Sequence, residues 1–190
     1  SDLNLGGGYG VRYTAEDEAI DIPARLEELV AHLKEETERL GLPMPRFLME
    51  PGRSIVADAG MTLYTVGSVK RIPGYKQYAA VDGGMTDNPR YALYQSRYTV
   101  YHAHKSGSLE RFDVVGRCCE SGDIIQPGVE LPGDTCRGDL LAVCTTGAYN
   151  YSMASNYNRL PRPAVVMLTP DRIYEAVRRE TFADLTALDL

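Results

Sequence analysis

Five short segments carry residue types that can do chemistry. Gly6, Gly7 and Gly8, with Gly10, follow a short apolar run at Leu3 and Leu5. Glycines let a backbone close on a phosphate and turn its N–H groups inward. The spacing is not a dinucleotide fingerprint, because Val11 or Tyr13 falls where the last glycine belongs, and no Gly-Lys-Ser/Thr follows. Alone, the run reads equally well as a plain tight turn. Glu50-Pro51-Gly52-Arg53 places a carboxylate and a guanidinium three apart around a stiff turn. A buried Glu can keep a proton on a ring nitrogen, and Arg suits a phosphate as a bidentate donor. A surface salt-bridged turn is the plainer alternative.

Asp87-Asn88-Pro89-Arg90 with Tyr94 can grip a carboxylate, or can be a polar turn beside a tyrosine on a β surface. Cys118-Cys119-Glu120-Ser121-Gly122-Asp123 sets a thiol beside a carboxylate, which suits a proton donor or a nucleophile. Two structural thiols would look the same. Gly147-Ala148-Tyr149, followed by SMASNYNRLPRP, can offer a phenol to a phosphate or simply pack a loop tyrosine. His102 and His104 lie two apart in a strand-like stretch and share a face there. Further ligands for a metal are not evident, so no metal site is assigned and both read as structural or exposed.

Local patterns show which elements must hold these residues. Ile22, Leu26, Leu29, Val30 and Leu33 fall on one face of a helix. Asp21 suits its N-cap, Pro23 its first turn, and Gly41 and Pro43 its end. Phe47-Leu48-Met49 reads as a short buried strand running into Glu50. The opening is therefore strand, loop, helix, strand, loop: a βαβ unit whose polar loops follow strand C-termini, where α/β folds bind ligands. From about Met61 the texture turns to alternating β runs with Gly, Asp and Pro between them, and 13 tyrosines in the chain suit an antiparallel sheet. Ala164 to Leu168 reads as a strand, and Pro170-Asp171 as the start of a short helix reaching Arg179.

Composition excludes several partners. The net charge of −6 argues against nucleic acid or an anionic membrane, since both select basic surfaces. No apolar run approaches the roughly 18 residues of a membrane span, and no basic-then-apolar leader opens the chain. The four cysteines match no zinc-ligand spacing, so free thiols in a reducing cytoplasm are expected. The chain enters at once into a strand and a glycine loop, so sequence upstream is expected. A closed (β/α)8 barrel takes about 250 residues, and only about two of its strands are visible.

Taken in order, GGGYG, EPGR, DNPRYALY, CCESGD and GAYNYSMASNYN resemble the diaminopimelate decarboxylases from about Leu3 to Val166. This is a branch of the fold-type III pyridoxal-phosphate enzymes. The resemblance implies the last strands of a (β/α)8 barrel followed by a C-terminal antiparallel β-barrel or sandwich domain. Residues 1–58 would close the cofactor barrel, 59–165 would form the β domain with substrate and catalytic motifs, and 166–190 would pack back on the barrel. The cofactor is pyridoxal 5'-phosphate. Gly6, Gly7, Gly8, Glu50, Pro51, Gly52, Arg53 and Tyr149 would bind it, with Glu50 on the pyridine nitrogen. Arg53, Arg90, Tyr94, Glu120 and Tyr149 would bind substrate, with Glu120 at its distal amino end. Cys119 would deliver the proton that replaces the lost carboxylate. A homodimer with shared active sites is implied, the Cys-Glu segment entering the neighbouring subunit's site. The reaction implied is meso-2,6-diaminopimelate to L-lysine and CO2.

One departure stands out. The family's Schiff-base lysine and ring-stacking histidine belong to an earlier barrel segment, and neither motif occurs here. Lys34, Lys70, Lys76 and Lys105 lie in the wrong contexts. The 190 residues alone are therefore expected to be inactive. The alternatives are a non-catalytic scaffold of the same fold, a decarboxylase for a related basic amino acid, or a racemase, which the cysteine motif disfavours.

Overall fold

A computed structural model describes residues 1–190. The chain opens with strand β1 (Asp2–Asn4), helix α1 (Ile22–Leu40) and strand β2 (Arg46–Leu48), the two strands pairing in parallel. Asp21 caps α1 through its side chain, which accepts the Ala24 N–H at 3.0 Å. Gly41 ends the helix at φ 65°, and the Gly41 and Leu42 amides return to Glu38 and Thr37. The apolar stripe of α1 lies where it was expected, yet none of its residues is buried. A two-stranded sheet offers it too little surface.

Helix α2 (Gly52–Val56) follows β2 at once, so Gly52 and Arg53 form its first turn. Six strands then build one sheet: β3 (Met61–Ile72), β4 (Lys76–Val81), β5 (Val100–His102), β6 (Leu109–Val115), β7 (Ile124–Pro132) and β8 (Leu140–Cys144). Their spatial order is β5-β8-β3-β4-β6-β7. All pairings are antiparallel except β4 with β6. The edge strands β5 and β7 meet, so the sheet curls almost into a barrel. Helix α3 (Arg90–Tyr94) interrupts the strands where a turn was expected.

Alternation along the strands puts one face inside. Tyr64 and Val66 of β3, Phe112 and Val114 of β6, Ile125 and Leu131 of β7, and Leu141 and Val143 of β8 form the core. Full burial of such a side chain contributes about 1.5–3 kcal/mol. Most of the hydrophobic free energy of this chain therefore resides in the barrel-like sheet.

The expected helix from Pro170 to Arg179 is instead a hairpin. Strand β9 (Val165–Leu168) pairs antiparallel with β10 (Ile173–Val177). Pro170 and Asp171 form its turn, closed by Thr169, whose amide donates to the Arg172 carbonyl at 3.0 Å. Ile173, Tyr174 and Val177 are β-branched or aromatic, and a paired strand is available at Val165–Leu168. The helix comes later, as α4 (Phe182–Thr186), capped reciprocally by Thr181 and Asp184. No helix is long and apolar enough to cross a membrane.

The two histidines do not share a strand face, because β5 stops at His102. The His102 side chain is buried and structural. Its Nδ1 accepts the Lys105 amide at 2.9 Å, and its Nε2 lies 3.1 Å from the Asp139 carboxylate.

Candidate functional site

Three segments far apart in sequence meet beside α2. The Gly6–Gly8 loop leaves β1, and its Gly6 and Gly8 adopt φ of 71° and 88°, which favours glycine. A side chain on Gly7 is excluded, since a Cβ would lie 2.2 Å from the Glu50 carbonyl oxygen. The Glu50 amide donates to the Gly6 carbonyl at 2.7 Å, tying the two loops together. Asn4 braces both: its Oδ1 accepts the Gly6 amide at 2.8 Å and its Nδ2 donates to Glu50 Oε1 at 2.6 Å. The Glu50 carboxylate is exposed, not buried as its proposed role had suggested. Asn4, not burial, fixes its direction.

Tyr149 arrives from the far end of the chain. Gly147 makes this approach possible, because a Cβ there would lie 1.8 Å from the Val56 carbonyl oxygen. Its amide bonds to the Ala57 carbonyl at 3.0 Å. The Tyr149 hydroxyl then sits over Gly52, 2.7 Å from where a Cβ would stand. The Arg53 guanidinium lies 6.0 Å from the Tyr149 ring centre. Its Nε is buried and has no partner, and the Gly7 and Gly8 amides donate to nothing in the chain. A cluster of unspent donors at a glycine loop, an arginine and a phenol fits a phosphate ester.

Arg90 forms a second centre. Its Nε donates to the Tyr98 hydroxyl at 2.9 Å and its Nη2 to Ser96 at 3.3 Å. The guanidinium carbon stands 5.5 Å from the Tyr94 ring centre and 6.0 Å from that of Tyr13. The side chain is 5% exposed and bonds to no carboxylate. A buried cation without a counter-charge is costly. Aromatic faces offset part of that cost, and an incoming carboxylate would complete the pairing. Both side-chain polar atoms of Asn88 and the Nδ2 of Asn150 are likewise buried and unpartnered. Behind them the Tyr64 hydroxyl donates to Asp87, whose Oδ1 also accepts the Gly84 amide. Burial pushes the Asp87 carboxyl up, and it pushes the Tyr64 phenol well up. Asn88 and Asn150 lie inside the DNPRYALY and GAYNYSMASNYN segments but were given no role there; Tyr13 and Tyr98 carry no local motif, so only the tyrosine-rich composition hinted at them.

The Cys-Glu loop joins β6 to β7. Asp123, 4% exposed, anchors its near side by accepting the Met85 and Cys118 amides, each at 2.6 Å. Gly84 and Gly116 leave room for that carboxylate, since a Cβ on either would come within 2.7 Å of it. Burial, with Asp123 adding, pushes the Cys118 thiol up to about 11. Cys119 and Glu120 lie beyond the anchor and are exposed. Hydrogen bonds from the Gly122 amide and the Ser121 hydroxyl hold the Glu120 carboxyl below its usual range. No hydrogen bond joins Cys119 or Glu120 to the Gly6–Gly8, Glu50–Arg53 and Tyr149 cluster.

Residues 14–147 match the family described as pyridoxal-dependent decarboxylase, C-terminal sheet domain. The chain belongs to this family. Diaminopimelate decarboxylase of Bacillus subtilis is 50% identical over 190 residues, covering 99% of this chain. The enzyme of that name from Staphylococcus aureus is 42% identical over 188 residues. The crystal structure of diaminopimelate decarboxylase from M. jannaschii superposes with a TM-score of 0.93 at 33% identity over the whole chain. The Helicobacter pylori enzyme complexed with L-lysine superposes with a TM-score of 0.87. The chain spans 43% of the B. subtilis protein and 43% of the M. jannaschii one. What it shares with them includes the residues of the family's C-terminal sheet domain and the whole of the opening βαβ unit.

Proposed function

We propose that this chain contributes the phosphate cradle and the proton-delivering loop of a decarboxylase acting on meso-2,6-diaminopimelate, with L-lysine and CO2 as products. The observation that carries this reading is the meeting of Gly6–Gly8, Glu50–Arg53 and Tyr149 around donors that the chain itself leaves unused. Pyridoxal phosphate, when bound, supplies an electron sink for the carbon that loses CO2. The Gly7 and Gly8 amides, Arg53 and the Tyr149 hydroxyl would hold its phosphate, while Pro51 and Gly52 shape the turn that admits it. Glu50, oriented by Asn4, would keep the proton on the pyridine nitrogen. Arg90 and Tyr94 would grip a substrate carboxylate, with Arg53 and Tyr149 at hand for its other polar groups.

The exposed loop does the remaining work. Glu120, kept ionised by its own loop amides, would take the distal ammonium. The Cys119 S–H bond breaks as a C–H bond forms at the carbon that lost CO2, and the thiolate regains its proton from water. Both residues are exposed, which suits delivery into the site of a neighbouring subunit in a homodimer. Four free thiols suit a reducing cytoplasm. A related basic amino-acid substrate is the second reading. The lysine/ornithine decarboxylase from Vibrio vulnificus, complexed with cadaverine, superposes with a lower TM-score of 0.68, which favours diaminopimelate.

The decisive experiment assays the holoenzyme for CO2 release from meso-diaminopimelate, lysine and ornithine. Release from diaminopimelate alone supports the reading, and a preference for ornithine or lysine would transfer it to the second. In the same preparation Arg53→Met should weaken cofactor binding by about tenfold or more, given the strength of charge-assisted phosphate contacts.

A further inference from the structure

The two halves of the Cys-Glu loop are held in different ways. Cys118 is fixed from within the sheet domain by the buried Asp123 carboxylate. Cys119 has one hydrogen bond, and it comes from far away in sequence: its amide donates to Asn158 Oδ1 at 2.7 Å. Asn158 belongs to the short 3-10 turn Tyr157–Arg159 and has φ 55° and ψ 20°. Among side-chain residues asparagine tolerates that left-handed backbone best. The turn is tied on both sides. The Ser155 amide bonds to the Thr86 carbonyl at 2.8 Å. Asn156 Nδ2 donates to Leu160 O at 3.0 Å and to Glu180 at 2.7 Å, and Arg159 pairs with Asp189. The turn that carries Asn158 is thus held on both sides, and its side chain supplies the one hydrogen bond that Cys119 makes.

We infer that Asn158 is a positioning residue for Cys119, its amide oxygen fixing the Cys119 backbone and hence the direction in which the thiol presents its proton. The inference rests on the reading of Cys119 as proton donor. Glu120 does not depend on Asn158 for its carboxylate, which Ser121 and Gly122 orient from within the loop. Loss of the Asn158 oxygen should therefore disturb proton delivery more than substrate binding.

The test uses the holoenzyme and four variants, the two at Asn158, Cys119→Ala, and Asn158→Gly combined with Cys119→Ala. Asn158→Gly keeps the left-handed backbone and removes the oxygen; Asn158→Asp keeps an oxygen at the same place. Asn158→Gly should lower kcat about tenfold, the size of one hydrogen bond's contribution, with KM and cofactor absorbance within about twofold of the parent. Asn158→Asp should restore kcat to within about threefold. In a Cys119→Ala background Asn158→Gly should add no further loss, because the two changes then act on one step. Parent-like kcat in Asn158→Gly, alongside a clear loss in Cys119→Ala, overturns the inference and leaves the proton-donor reading standing. A fall in kcat and melting temperature together with a rise in KM, not rescued by Asp, also overturns it, since that is a purely structural role. Full activity of Cys119→Ala overturns the proton-donor reading itself, and the inference with it.

Discussion

Cys118 and Cys119 are neighbours in the chain and opposites in chemistry. Cys118 sits half-buried beside the Asp123 carboxylate, and its thiol is pushed up to about 11. At pH 8 about one part in a thousand would be thiolate, the form that reacts with alkylating agents. Cys119 is exposed and so is Cys136, whereas Cys144 is half-buried with its thiol pushed up by burial. Brief iodoacetamide treatment at pH 8, followed by peptide mass mapping, should label Cys119 and Cys136 and spare Cys118 and Cys144. Preferential labelling of Cys118 would contradict the assignment. Asp123 is the other residue whose loss should be severe. Its carboxylate is buried and accepts two backbone amides, so Asp123→Ala should destabilise the fold by about 2–4 kcal/mol by leaving those donors unpaired. A denaturant midpoint shift smaller than that of a surface substitution would refute this. The motif CCESGD was legible as a unit. The anchoring role of its last residue was not, because the amide of Met85 and the space at Gly84 come from another loop altogether.

Elements were legible where a local pattern dominates. The cap at Asp21, the stripe of α1 and the stop at Gly41 all rest on neighbouring residues, and each lies where it was read. The segment after Leu168 was not, since Pro170-Asp171 opens a helix or turns a hairpin with equal ease. Pairing with Val165–Leu168 decides it, and that is a non-local fact. Past this hairpin the chain is locked back to the segment that carries Asn158. The Arg162 guanidinium donates to the Glu180 carboxylate and holds it down at about 2, with help from the Arg162 amide and Asn156. Glu180 is thus lowered from an ordinary 4.5 in the folded state. Its contribution is fully present above about pH 4.5 and is lost as pH falls from there towards 2. Melting temperatures measured across that window should drop in the parent, and Glu180→Gln should flatten the drop while lowering stability at neutral pH. An unchanged acid limb in Glu180→Gln would show that other carboxylates govern it.

At the scale of the molecule the sheet domain and the opening βαβ unit are unlike in completeness. The sheet domain encloses a continuous core. The βαβ unit has a helix with no buried residue and strands that are exposed or half-buried. Apolar side chains also stand exposed on both sides of the junction and on the hairpin: Ile55 at 66%, Leu63 at 59%, Leu168 at 72% and Ile173 at 74%. Surface of this kind is covered in a working protein, by more chain or by another copy. The lysines lead to the same conclusion. Lys34 is exposed on α1, Lys70 lies in β3, Lys76 pairs with Asp113 at 2.6 Å and Lys105 with Asp139 at 2.7 Å. None hydrogen-bonds to the cradle formed by Gly6–Gly8, Glu50–Arg53 and Tyr149, so these 190 residues by themselves should neither take the cofactor covalently nor release CO2. Prepared alone, they should associate at micromolar concentration, eluting well above the 21.0 kDa of one chain. Leu168→Lys with Ile173→Lys should shift that elution towards the monomer, because two charges on the exposed hairpin oppose its burial. A monomer in the unaltered chain would show that the apolar faces find cover within it. Decarboxylation by that monomer would require a lysine that no contact in the fold brings to the cradle.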